Sequence, residues 1–227
     1  MDDLSLSTWS GLNLAASRSE RLVFTNLDFE LIPGDVLLLT GQNGSGKSTL
    51  LRIMAGLNQP ISGSMLWNSE IMKNVLSTHS ARVNYIGHLA GVKLALTVEE
   101  DIRFWMQLNG RSSQGIMEIA LEHFGLLNQR SMPIRFLSSG QRRKLALTRL
   151  MVRSSKIWLL DEPTVGLDSK GIKSLEDIIH KQRAGNGIVV VASHTEINLG
   201  SNIKNINLSD FQTNTAQAYS AGFGYEE

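Results

Sequence analysis

The stretch GQNGSGKS, residues 41–48, limits this chain more than any other feature. It follows the apolar run Val36 to Leu39 and precedes Leu50, Leu51, Met54 and Leu57 at helical spacing, which predicts a buried strand, a glycine loop and a helix in that order. In such a loop Gly41, Gln42, Asn43, Gly44, Ser45 and Gly46 offer consecutive backbone amides to phosphate oxygens, and the following helix adds its N-terminal dipole. The pattern puts Lys47 on the β- and γ-phosphates of a nucleotide and the Ser48 hydroxyl on magnesium, with Thr49 beside them. A glycine turn that only caps a helix needs neither the lysine nor the preceding strand.

The surrounding chain fits an α/β domain. Leu27, Phe29 and Leu31 alternate as in a half-exposed strand, Pro33 and Gly34 mark a turn, and SGSMLWNSEIM (62–72) reads as a strand and turn. KIWLLD (156–161) and GIVVVASH (187–194) read as buried strands separated by the helix SKGIKSLEDIIHKQ. Alternating strands and helices predict a mainly parallel sheet, to which an antiparallel β edge is added. From Thr97 to Leu150 the apolar stripes are helical, so we read residues 88–150 as a helical insertion and residues 1–87 and 151–208 as the core of a single domain. Residues 209–227 are polar and poor in aliphatics, the composition of a frayed tail.

Two further motifs carry chemistry. LLDEP ends a predicted strand at the edge where open parallel sheets bind ligands, so Asp161 is the candidate to hold magnesium and Glu162 the candidate to orient or deprotonate an attacking water. By itself an acidic pair after four apolar residues is an ordinary loop start; beside a phosphate loop it becomes the second half of a nucleotide site. FLSSGQRRKLALTRL places the small residues Ser138, Ser139 and Gly140, then Gln141, before a helix, where free amides and the Ser138 hydroxyl suit an anion. As a capping box this pattern is weak. One nucleotide does not need two anion sites.

Bulk properties narrow the partners. Lys plus Arg number 22 against 21 Asp plus Glu, which gives no general positive field to hold nucleic acid or a membrane. There is no cysteine, which excludes disulfides and thiol chemistry and fits a reducing compartment. The N-terminus has neither the basic start nor the apolar core of a secretory signal, and no run approaches the roughly 20 apolar residues of a membrane helix.

Taken together, the phosphate loop, LSSGQ and LLDEP, in this order, resemble the ATP-binding subunits of ABC transporters. In that family the signature reads LSGGQ and is followed by a D-loop, here Asp168 in TVGLD, and a switch histidine, here His194. The resemblance runs from about residue 20 to 200. It implies that the chain binds Mg-ATP and hydrolyses it with Glu162, His194 and Lys47. It also implies that two protomers sandwich ATP between the phosphate loop of one and Ser138 to Gln141 and Asp168 of the other. Two anion sites per chain then have a reason.

The family usually has a glutamine between core and helical insertion; aligning back from LTVEEDI places His88 there. A neutral imidazole accepts a hydrogen bond from a metal-bound water but is a poor magnesium ligand. YIGHLAGVKLALTVEEDIRFW resembles the YLGHxxGLKxxLTxxENLRFW of the ATP-binding subunits of the haem exporter in cytochrome c biogenesis, the CcmA type. That branch implies an integral membrane subunit as partner and a place on the cytoplasmic face of the inner membrane, or the matrix side of the mitochondrial one. An exporter ATPase for another substrate and an ATP-switch regulator are the alternatives. Two departures bear on the carry-over. The stretch AASRSERLVF upstream of the phosphate loop lacks the tyrosine on which the family usually stacks adenine, leaving Arg18 as an exposed arginine or a guanidinium platform, and Ser139 replaces the central signature glycine. Phe104, Trp105 and Met106 are candidates to touch the membrane partner, with Phe104 and one neighbour expected in the core.

Overall fold

The computed structural model describes residues 7–18, 21–108 and 114–212. Two sheets carry the α/β part. Strands β1 (Trp9–Arg18), β2 (Arg21–Leu31), β4 (Ser62–Trp67) and β5 (Glu70–Ile71) form an antiparallel sheet in the order β2-β1-β4-β5. Strands β3 (Val36–Thr40), β6 (Val83–Ile86), β7 (Ile157–Asp161), β8 (Ile188–Ala192) and β9 (Ile203–Asn207) form a wholly parallel sheet in the order β6-β7-β8-β3-β9. The antiparallel edge is therefore a separate sheet. Every residue of β7 and β8 is buried, the condition that makes strands covered on both faces read as unbroken apolar runs.

Helix α1 (Lys47–Met54) lies between the sheets. Leu50, Leu51, Ile53 and Met54 join Phe24, Leu27 and Leu31 of β2, Leu37 and Leu39 of β3 and Leu159 of β7 in one core. Leu57 does not belong to it. The helix stops at Met54, the chain turns at Gly56 (φ 73°), and Leu57 is 63% exposed. Helix α2 (Leu76–Arg82) supplies His79, buried against Trp9, whose Nε2 lies 2.8 Å from the Met54 carbonyl at the end of α1. The opposite face of the parallel sheet packs on α5 (Ser139–Val152) and α6 (Ser169–Ala184) through Leu147, Leu150, Leu175 and Ile179.

The insertion has its own core. Val98, Ile102 and Met106 of α3 (Val98–Leu108) meet Met117, Ala120 and Leu121 of α4 (Gln114–His123) and Leu145 and Val152 of α5. Met106 is thus a core residue and not part of a contact surface. Phe104, expected in the core, is half-buried under the Lys93 ammonium at 3.9 Å, and Trp105 is half-buried under the Arg149 guanidinium at 4.5 Å. A 3₁₀ turn, Leu208–Phe211, carries regular structure past residue 208 and packs Leu208 and Phe211 on the first core. Residues 213–227 of the anticipated tail lie outside the described residues.

Candidate nucleotide site

All the predicted catalytic groups leave the same edge of the parallel sheet. Register pairs Leu39 with Ala192 and Asp161 with Ala192, so the phosphate loop, Asp161 with Glu162, and Ser193 with His194 emerge side by side from β3, β7 and β8. His88 follows β6, one strand further out. One cleft of about 170 Å³ is lined by Asn43, Gly44, Gly46, Lys47, Ser48, Thr49, His88, Asp161, Glu162 and His194.

The loop is built for an anion. Gly46 caps α1 in the left-handed region (φ 103°) with no side-chain cap, which leaves the first amides of the helix to a ligand. A Cβ there would lie 2.9 Å from Phe24. The Lys47 ammonium donates to the carbonyls of Gly41 (2.8 Å) and Gln42 (3.1 Å). Burial lowers its pKa from the usual lysine range, opposed by the carboxylates of Glu162 and Asp161, and both effects belong to a cation held where phosphate charge can satisfy it. The Ser45 hydroxyl is buried and without a hydrogen-bond partner.

Asp161 is 2% exposed. Glu162 adopts φ 48°, a left-handed conformation unusual for a side chain with Cβ, while its N–H donates to Ala192 O at 2.8 Å. Its carboxylate accepts the His194 N–H at 3.4 Å and lies 3.5 Å from His194 Nε2. The strained backbone turns Glu162 into the cleft beside His194.

The second anion motif stands apart. Ser138, Ser139, Gly140, Gln141 and Asp168 are not among the residues lining the cleft. The capping box, weak as a sequence pattern, is complete: Ser138 Oγ accepts from Gln141 N at 3.1 Å and Gln141 Oε1 from Ser138 N at 2.9 Å. The Ser138 hydroxyl expected to face an anion is engaged in its own helix. Gly140 abuts the D-loop, where a Cβ would meet Gly166 O at 2.6 Å. Asp168 caps α6, accepting from Gly171 N, and pairs with Lys144 at 2.8 Å; the lysine, then the Gly171 amide, lower its pKa.

Arg18 is exposed and, with Val23, lines the cleft. Three contributions escaped the sequence. Tyr85 sits beside Asp161, and burial, then that carboxylate, raise its phenol pKa. The Ser209 hydroxyl accepts from Gln42 N at 3.4 Å, and with Asn207 it fills the space beside Gly41, so the 3₁₀ turn underpins the phosphate loop. Arg143 lies in a basic run that reads as a solvated helix face, yet is 4% exposed. Partners 18 to 167 positions away leave no local trace.

An ABC transporter family model matches residues 24–165. The chain is 44% identical over 199 residues to the cytochrome c biogenesis ATP-binding export protein CcmA of Paramagnetospirillum magneticum, a match covering 86% of this chain and 92% of that protein. It is 38% identical over 189 residues to CcmA of Pseudomonas aeruginosa, covering 83% and 93%. Among solved structures, a putative ABC transporter ATP-binding protein from Pyrococcus furiosus superposes with a TM-score of 0.78 at 23% identity, over 91% of this chain and all of that one, a likeness of fold.

Proposed function

Because the chain belongs to the ABC transporter family, and within it to the CcmA branch of ATP-hydrolysing export proteins of cytochrome c biogenesis, we propose that its ATP cycle drives haem delivery to c-type cytochromes. The observation that carries this reading is near-full-length similarity to the CcmA proteins, joined to a cleft in which His88 stands with Lys47, Asp161, Glu162 and His194.

In this reading the amides of residues 43–48 and Lys47 hold the β- and γ-phosphates. Ser48 and Asp161 are the oxygen donors that suit Mg2+, and both line the cleft. Bound there, the ion would neutralise charge on the phosphate oxygens. Glu162 orients or deprotonates the attacking water, His194 supports Glu162 and the γ-phosphate, and His88 accepts a hydrogen bond from water in the cleft. The signature of a second protomer closes the site, because Ser138 to Gln141 lie away from the cleft of their own chain. No helix among the described residues is long and apolar enough to cross a membrane. From the likeness to CcmA proteins we assign as partner an integral membrane subunit, with this chain on the cytoplasmic face of the inner membrane and the exposed Leu89 (83%) and Leu94 (48%), which follow His88 in the chain, as apolar contacts.

The test is genetic and biochemical. A Lys47→Ala strain should lose covalent haem on c-type cytochromes and keep b-type cytochromes, with the variant protein still at the membrane. Normal c-type cytochromes in that strain would discard the haem assignment and leave an ABC ATPase for another substrate. Purified protein should show steady ATP turnover, abolished by Glu162→Gln with ATP binding retained; a single round of binding would instead mark an ATP-switch regulator.

A further inference from the structure

Arg143 lies within the second turn of α5, 4% exposed, and each of its five N–H donors ends on a backbone carbonyl. Nε donates to Pro163 O (3.3 Å), one Nη to Gly87 O (2.7 Å) and His88 O (3.3 Å), and the other Nη to Asp161 O and Glu162 O (both 2.8 Å). Two loops that share no hydrogen-bonded strand ladder beyond Ile86 and Leu160 are thus held by one side chain. Further along the same helix, Arg149 donates to Ala90 O (3.4 Å), Gly91 O (3.2 Å) and the Asp101 carboxylate (3.0 Å). The segment from Gly87 to Gly91 therefore hangs on α5 at both ends.

Burying a guanidinium is costly unless its donors are satisfied, and apolar packing would be cheaper if packing were the only purpose. The fork geometry gives a lysine no equivalent, since an ammonium cannot reach two loops with parallel donors. The helix so attached begins with the signature. Gly140 touches the backbone of Gly166, and Lys144, next to Arg143, pairs with Asp168.

We propose that Arg143 is a positioning residue for ATP hydrolysis: it fixes the backbones of Glu162 and His88 to the helix that carries Ser138 to Gln141. Engagement of the signature by a partner's nucleotide then sets the position of the same chain's own Glu162. Arg143 touches no reacting atom; it acts through the left-handed Glu162 backbone, whose carbonyl it binds. The inference rests on the reading of Glu162 as the group that orients water.

The experiment uses the full-length chain copurified with its membrane partner, comparing Arg143→Lys, Arg143→Gln, Glu162→Gln and the double variant Arg143→Lys/Glu162→Gln. Arg143→Lys should stay folded with a lowered melting temperature, because carbonyls are left unpaired, yet keep the KM for ATP within about twofold and lose roughly 10- to 100-fold in kcat. Arg143→Gln should lose at least as much. In the Glu162→Gln background, Arg143→Lys should cause no further loss of single-turnover phosphate release, because the group it positions is already absent. A kcat for Arg143→Lys within about twofold of unmodified, or a fall in kcat matched by an equal loss of ATP affinity, overturns the proposal. An additive loss in the double variant does the same. Should Arg143→Gln fail to fold, Arg143→Lys decides. Full turnover by Glu162→Gln alone would remove the underlying site reading, and the proposal with it, by a signal distinct from the others.

Discussion

The N-termini of α1 and α5 are both approached through small residues, and they are finished in opposite ways. At α1, Gly46 is left-handed and no side chain caps the helix, so its amides stay available. At α5, Ser138 and Gln141 close a capping box, and the helix is self-sufficient until a partner arrives. An open end suits an anion that the chain binds alone; a capped end suits one met only in the dimer, because the chain must remain stable when unpaired. The helices differ in attachment too. Helix α1 is held by apolar contacts between the sheets, whereas α5 adds to its own apolar contacts the guanidinium of Arg143, which binds the Asp161 and Glu162 carbonyls.

The largest expected effect breaks the open end. Gly46→Ala puts a Cβ 2.9 Å from Phe24 at φ 103°. Relieving about 1–2 kcal/mol of left-handed strain should displace the loop amides and lower ATP affinity by more than about tenfold, measurable with a fluorescent nucleotide on the isolated chain. Unaltered affinity would show that the loop does not need this conformation.

Next, Gly140→Ala attacks the capped end, where the new Cβ meets the Gly166 carbonyl at 2.6 Å. Affinity of the isolated chain for ATP should hold, while turnover in the assembled complex falls roughly 10- to 100-fold. Parallel losses of both would erase the distinction between the two ends.

Ser138→Ala is gentler. Loss of the cap should cost about 1 kcal/mol, seen as a melting temperature lower by about 2–4 °C, with ATP affinity unchanged. A neutral result would mean that the D-loop contacts of α5 suffice without the cap.

The smallest effect sharpens the difference at the far end of α1, where His79 meets the Met54 carbonyl. Burial, the largest cause, lowers the His79 pKa below its ordinary 6.5, with Arg82 adding to the effect against the Met54 hydrogen bond. In the window below 6.5 the unfolded chain binds a proton that the folded chain does not, so this contribution to stability is present above that pH and is lost as pH falls. His79→Gln, which keeps a donor for Met54 O, should therefore melt below the unmodified chain near neutrality, with the gap narrowing on acidification. A gap independent of pH would mean the ring does not titrate differently on folding.

Much of the core was legible because its signals are local. β7 and β8 are apolar runs, α6 follows a capping aspartate, and the phosphate loop sits between a strand and a helix of the predicted kind. Errors arose where neighbours outweighed pattern. Leu57 continued the helical spacing but fell past a left-handed Gly56, and Phe104 is half-buried beneath Lys93 while its neighbour Met106 lies in the core. Ser209 to Phe211 read as the start of a polar tail, yet Phe211 packs with Leu208 on the first apolar core.

The sequence by itself singled out the candidate groups of the site, since glycine, lysine, serine and paired acids at fixed spacing admit few chemistries. It also implied the division into sheet core and helical insertion, through the change of apolar period from strand-like to helical. Only the tertiary structure decided which of those groups share a cleft and which face away. That depends on strand order in the parallel sheet, a choice among long-range pairings that local periodicity does not encode. It decided likewise that Arg143 is buried: a guanidinium in a basic run looks solvated until two distant loops bring five carbonyls to it, and then hydrogen bonding outweighs the cost of leaving water.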